Sequence, residues 1–70
     1  MEIKKISIKE DFIRLDSAMK LGCLVVTGGH AKIVIQDGEV KVNGEVCIMR
    51  GKKLHKGDKI EFDGNLVEIV

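Results

Sequence analysis

Three features of the sequence predict an α+β fold, with two short helices packed on a small, mostly antiparallel, twisted sheet of about five strands. The first half carries apolar residues at helical spacing, interrupted by glycines. The second half switches to a two-residue period. Asn43-Gly44 and Asp63-Gly64 then supply two tight hairpin signals. Helices first and strands afterwards fit helices laid on an antiparallel sheet better than a parallel α/β fold.

The elements follow in order. Met1 to Ile8 reads as a strand, because Ile6 and Ile8 alternate with Lys5, Ser7 and Lys9. Glu10-Asp11 supplies an acidic helix start, and Asp11 to about Leu21 reads as the first helix. Phe12, Leu15 and Met19 recur at helical spacing and are expected in the core. Glu10 with Arg14 and Asp16 with Lys20 stand four apart and can pair on the surface. Gly22 is the expected stop, and Cys23 to Val26 a short apolar connector beneath both helices.

Thr27 is the natural N-cap of a second helix that runs to about Asp37 and ends at Gly38. Ala31, Val34 and Ile35 face inward, while Lys32 and Gln36 share an outer face one turn apart. Beyond Gly38, Val40 and Val42 alternate with Glu39 and Lys41 in a strand that turns at Asn43-Gly44. Glu45 to Met49 is its expected partner. A basic loop, Arg50 to Lys59, follows, with Gly57-Asp58 marking a turn. Ile60 to Phe62 and Leu66 to Val70 close the chain as a hairpin.

A chain of 70 residues allows one domain, here taken as residues 1–70. Folding at this size buries only about 60% of the unfolded chain's surface, so a deep substrate cleft is not expected. No apolar run approaches the roughly 20 residues of a membrane span, and the first residues lack a signal-peptide core. A cytoplasmic location is therefore expected, with Cys23 and Cys47 as free thiols. No membrane contact is expected, and a monomer is.

The net charge of +1 says little about partners, but its distribution says more. Arg50 to Lys59 holds five Lys and Arg residues against one acid, whereas Ile60 to Val70 has neither Lys nor Arg. Such a run is either a solvated loop or a patch for a polyanion. The start of the second helix poses a similar choice. Gly28 and Gly29 behind a threonine cap, with Lys32 one turn on, can let a phosphate reach free amides. They can equally serve a tight turn chosen for close packing. The pattern GxxxxGK[ST] is absent, so this is no nucleotide-binding P-loop.

Taken together, the motifs resemble the S4 RNA-binding domain. Arg14-Leu15-Asp16, Thr27-Gly28-Gly29-His30-Ala31-Lys32, Ile35-Gln36-Asp37-Gly38, Val40-Lys41-Val42-Asn43-Gly44 and Lys56-Gly57-Asp58-Lys59-Ile60 follow in that family's order. The resemblance covers about Phe12 to Phe62. Thr27 and Gly28 stand where the family pattern has serine and arginine. The small-residue helix opening and Arg50-Gly51-Lys52-Lys53 resemble the compact stand-alone bacterial members of the YaaA/YbcJ type. The resemblance implies an αL pair of helices and an RNA-binding protein, in some members linked to ribosome assembly. The expected RNA-binding residues are Arg14, Lys20, Thr27, Gly28, Gly29, Lys32, Gln36, Lys41, Arg50, Lys52 and Lys53. Gln36 and Asn43 can read sugar or base edges, although Asn43 is expected first as the turn residue.

Only Phe12 and Phe62 are aromatic, and both are expected in the core. Few stacking surfaces favour recognition of folded or double-stranded RNA by shape and backbone; that this RNA is ribosomal is what the resemblance implies. No catalysis, metal or cofactor is expected. His30, His55, Cys23 and Cys47 show no reaction-specific spacing, and both thiols read as core residues. The alternative is a small protein-interaction adaptor acting through a strand edge. A ubiquitin-like sulfur carrier is disfavoured, since the chain ends in Glu68-Ile69-Val70 rather than Gly-Gly.

Overall fold

The computed structural model describes residues 2–70. Seven strands and two helices succeed one another: β1 (Glu2–Ile6), β2 (Ile13–Arg14), α1 (Leu15–Leu21), α2 (Gly28–Gln36), β3 (Lys41–Val42), β4 (Glu45–Val46), β5 (Lys53–Leu54), β6 (Lys59–Phe62) and β7 (Asn65–Ile69). A five-stranded sheet has the order β1-β7-β6-β3-β4, and β2 pairs with β5 in a separate ribbon. Among the described residues only β1–β7 is parallel; the other pairs are antiparallel. The α+β expectation of two helices on a mostly antiparallel sheet is met, and the β2–β5 ribbon is an addition to it. The first strand is shorter than expected, and Met1 lies outside the described residues.

Side chains alternate across the sheet. On its inner face Val42, Ile60 and Val67 are register neighbours, and Ile6 pairs with Ile69. These residues are buried with Leu15, Ala18 and Met19 of α1, Val25 of the connector, Ala31, Val34 and Ile35 of α2, and Val40 and Leu54. On the outer face Lys5, Glu68 and Lys59 form one cross-strand row of alternating charge.

The first helix begins at Leu15, not Asp11, and Glu10-Asp11 does not start it. Residues 13 and 14 are extended instead, because Ile13 and Arg14 pair with Leu54 and Lys53. In a strand the side chains of residues 12 and 13 oppose each other, so Ile13 packs against the core and Phe12 stays 38% exposed. Phe12 is therefore not a core residue. Arg14 caps α1 from an extended conformation and pairs with Asp16 rather than Glu10. Asp16 in the first turn and Lys20 in the last both suit the helix dipole.

Gly22 stops α1 for a different reason than a left-handed backbone. Its φ is −81°, and the left-handed residue is Cys23 at φ +60°. Cys23 N–H donates to Lys20 C=O (3.1 Å) and Leu24 N–H to Met19 C=O (2.9 Å), the bonding of a Schellman motif. Position 22 is crowded: a Cβ there would lie 3.1 Å from Val67 Cγ2 and 3.2 Å from Ala18 O. Lys4 Nζ donates to the Gly22 carbonyl (3.1 Å), tying β1 to the end of α1. Cys23 itself is exposed, so the core-thiol reading fails there; Cys47 is half-buried against the core.

Gly38 ends α2 in the expected left-handed conformation, at φ +79°. Asn43-Gly44 and Asp63-Gly64 have positive φ at both positions, as their hairpins require. The strand after Asn43-Gly44 is short: Glu45–Val46 pairs with β3, and residues 47–52 form a loop. Ile48 and Met49 in that loop are exposed. The stretch Arg50 to Lys59 is likewise not all loop, since it contains β5.

Candidate nucleic-acid interface

The β2–β5 ribbon assembles the first group of cations. Arg14 and Lys53 are register partners. The first amides of α1 hold the following loop in place: Leu15 N–H donates to Lys52 C=O (2.9 Å) and Asp16 N–H to Arg50 C=O (3.1 Å). Ser17 N–H donates to the Asp16 carboxylate (2.8 Å). The start of α1 is thereby spent on structure, and its free amides fix where Arg50, Lys52 and Lys53 leave the backbone. The Arg14 guanidinium passes over Gly51, whose Cβ would sit 3.7 Å from Nη2. Arg14 also makes one ion pair, Nη2 to Asp16 Oδ2 at 3.2 Å, with its side chain 53% exposed. Arg50, Lys52 and Lys53 are exposed, and the Lys53 ammonium rests 4.8 Å from the centroid of the Phe12 ring.

The second group lies at the start of α2. Thr27 is extended, and its hydroxyl accepts from His30 N–H at 3.0 Å. The Thr27 carbonyl takes the first intrahelical bond, from Ala31 N–H (3.1 Å). Among the described residues the amides of Gly28 and Gly29 have no partner. A Cβ on Gly28 would meet nothing within 4 Å, and one on Gly29 only Thr27 Oγ1 at 3.9 Å. Neither glycine has a positive φ. Packing therefore explains neither residue, which removes the tight-turn reading. No acid stands in the first turn, and Lys32 and Gln36 are exposed on successive turns. Lys20 is exposed on the last turn of α1, where the chain turns toward Thr27.

Acids gather at the other end of α2. The Glu39 carboxyl is pushed above its usual value, chiefly by a hydrogen bond with the Asp37 carboxylate and then by desolvation and the Asp37 charge. The helix thus presents its open, positive end to solvent and its acidic end elsewhere.

Lys41 stands on β3. It lies on the outer sheet face, between Val46 and Glu61, while its neighbours Val40 and Val42 are buried. Asn43 does more than turn the chain. Its Nδ2 donates to Asp58 Oδ1 (3.0 Å), and its Oδ1 accepts from Lys59 N–H (3.0 Å). Asp58 also accepts from His55 N–H at 2.7 Å, and its carboxyl is held below the usual range, first by that bond and then by Asn43. This network fastens the turn after β5 to the β3–β4 hairpin.

Residues described here include no group of three His, Cys, Asp or Glu side chains placed to hold a metal ion, and no helix long and apolar enough to cross a membrane. Phe12 is the residue beside these cations whose exposure sequence reasoning missed. The alternation Phe12-Ile13-Arg14 was the available signal, but three residues fit a strand and a helical turn equally well.

The chain resembles known proteins along nearly its whole length. It is 41% identical over 59 residues to RlbA of Bacillus subtilis (strain 168), named a probable ribosome maturation protein; the match spans 84% of this chain and 83% of that one. It is 34% identical over 62 residues to YbcJ of Escherichia coli (strain K12), spanning 89% of each. The solution structure of E. coli YbcJ, described as revealing an αL motif involved in RNA-binding, superposes with a TM-score of 0.70 at 31% identity. That superposition spans 100% of this chain and 87% of the other. The sequence model of the S4 domain matches residues 6–70, and the chain belongs to the S4 domain family.

Proposed function

We propose that this protein binds folded RNA, without catalysing a reaction on it. The surface runs from the basic ribbon at the start of α1 to the open end of α2. Arg14, Arg50, Lys52 and Lys53 form one phosphate-binding group. The amides of Gly28 and Gly29, capped by Thr27 and backed by Lys32, form the other, with Lys20 and Gln36 beside it. The two groups lie toward opposite ends of α1, a helix about 10 Å long at 1.5 Å per residue. Two groups that far apart suit separate phosphates of a backbone better than a single small anion. Lys41 lies on the outer sheet face, beside Val46 and Glu61.

The observation that carries the reading is the empty space before Gly28 and Gly29. Two glycines at a helix start, free of packing and of unusual φ, expose amides to a bulky anion at the positive end of the dipole. Ribosomal RNA during subunit maturation is the proposed target and the cytoplasm the proposed location. Both draw on the similarity to RlbA, a probable ribosome maturation protein.

The test is a titration of folded ribosomal RNA fragments against the parent, Lys32→Glu and the double variant Lys52→Glu/Lys53→Glu, with a single-stranded competitor. The parent is expected to bind and to prefer folded RNA. Both charge-reversal variants are expected to fold and to lose affinity. Equal binding by all three proteins would refute the surface, and no binding by the parent at low salt would refute the function.

A further inference from the structure

The two aromatic side chains of this protein have different fates. Phe62 packs against the core, whereas Phe12 is 38% exposed. Its ring lies under the Lys53 ammonium, 4.8 Å from the centroid, and Lys53 is the register partner of Arg14. Ile13, the next residue, supplies the apolar contact with the core that Phe12 does not. An accessible ring is thus held at the edge of a cluster of cations, with little role in the fold.

An aromatic face flanked by cations is what a nucleic acid needs to park an unpaired base. The cations take the phosphates on either side, and the base lies flat on the ring. A duplex cannot use this feature, because its bases are stacked on one another. We propose that Phe12 is a base-stacking residue, and that the RNA taken by this protein carries an unpaired nucleotide beside the paired segment. A nucleotide bulged from within a stem meets that description, with a phosphate of the paired backbone on either side for the cations. In the free protein Lys53 covers the ring face. A surface cation–π contact is weak, so on binding the ammonium moves to a flanking phosphate and the base takes its place. This inference rests on the RNA-binding reading above and deepens it.

The test uses two hairpin RNAs of the same ribosomal sequence, one fully paired in its stem and one with a single added unpaired nucleotide. Affinities are measured by fluorescence anisotropy at one salt concentration for the parent, Phe12→Leu and Phe12→Trp. The parent is expected to prefer the bulged hairpin by about ten-fold, the size of one base–aromatic stack. Phe12→Leu is expected to collapse that ratio to about one. Phe12→Trp is expected to keep it, with tryptophan fluorescence quenched by the bulged RNA alone. A parent that binds both hairpins equally overturns the stacking role while leaving RNA binding intact. A ratio unchanged in Phe12→Leu overturns it as well. A parent that binds neither hairpin overturns both readings together.

Discussion

Arg14 and Lys53, far apart in the chain, stand directly opposite each other across the β2–β5 ribbon. This pairing sets the last residue before α1 beside a cation of the basic stretch that follows the β3–β4 hairpin. It also explains why α1 starts late. Residues 13 and 14 are committed to the ribbon, and the helix can begin only at Leu15.

The open space before Gly28 and Gly29 separates stability from function. Alanine fits at both positions without a clash and is the better helix former. The double variant Gly28→Ala/Gly29→Ala is expected to be at least as stable as the parent, with a gain of up to about 1 kcal/mol. Its RNA affinity is expected to fall, because the methyl groups keep the phosphate from the amides. Thermal denaturation and RNA titration of one preparation check both halves. Unchanged affinity would mean that RNA does not approach this helix start.

Neighbouring residues at the end of α1 carry opposite predictions. Gly22→Ala pushes a methyl against Val67 and the Ala18 carbonyl and should cost about 1–3 kcal/mol. Cys23→Gly removes an exposed side chain from a left-handed position and should gain about 1 kcal/mol. Chemical denaturation of the two variants measures both signs.

Asp58 gives the fold a pH dependence of known direction. Its folded carboxyl titrates below the ordinary value of about 3.8, because its charged form accepts from His55 N–H and Asn43 Nδ2. A depressed carboxylate contributes stability that is complete above the ordinary value and disappears as pH falls through the lower folded value. Stability is therefore expected to decline below about pH 4. Asp58→Ala, expected to lose about 2 kcal/mol at neutral pH, should show a shallower decline. Denaturation midpoints at pH 7 and at lower pH test the difference. An identical decline in the variant would assign the acid sensitivity to other groups.

Much of the fold was legible because its signals are local. Asn43-Gly44, Asp63-Gly64 and Gly38 each declare a backbone conformation that few other residues adopt. Thr27 declares a cap. The inward positions Ala31, Val34 and Ile35 follow from helical period alone. What failed was set by distant pairing. Nothing near Phe12 announces that Ile13 and Arg14 will bond to Leu54 and Lys53, so Phe12, Leu15 and Met19 read as one helical stripe. For the same reason Arg50 to Lys59 read as a loop. Cys23 misled differently: its left-handed backbone belongs to a residue type that rarely adopts one, while Gly22 beside it suggested the usual stop. Within the site, charge and glycine positions were visible in the sequence. The outward face of Lys41 was legible in its alternation with Val40 and Val42, and only its cross-strand neighbours Glu61 and Val46 came from the pairing.

The central claim is that phosphates are bound jointly by the ribbon and by the start of α2. The most direct measurement is the slope of log affinity against log salt for a folded ribosomal RNA fragment, compared between the parent and Lys52→Glu/Lys53→Glu. The account predicts steep salt dependence in the parent, with a slope near −0.7 to −0.9 for each phosphate contacted. It predicts a slope shallower by about one to two units in the variant. A parent whose affinity hardly changes with salt, or a variant with the parent's slope, would contradict it.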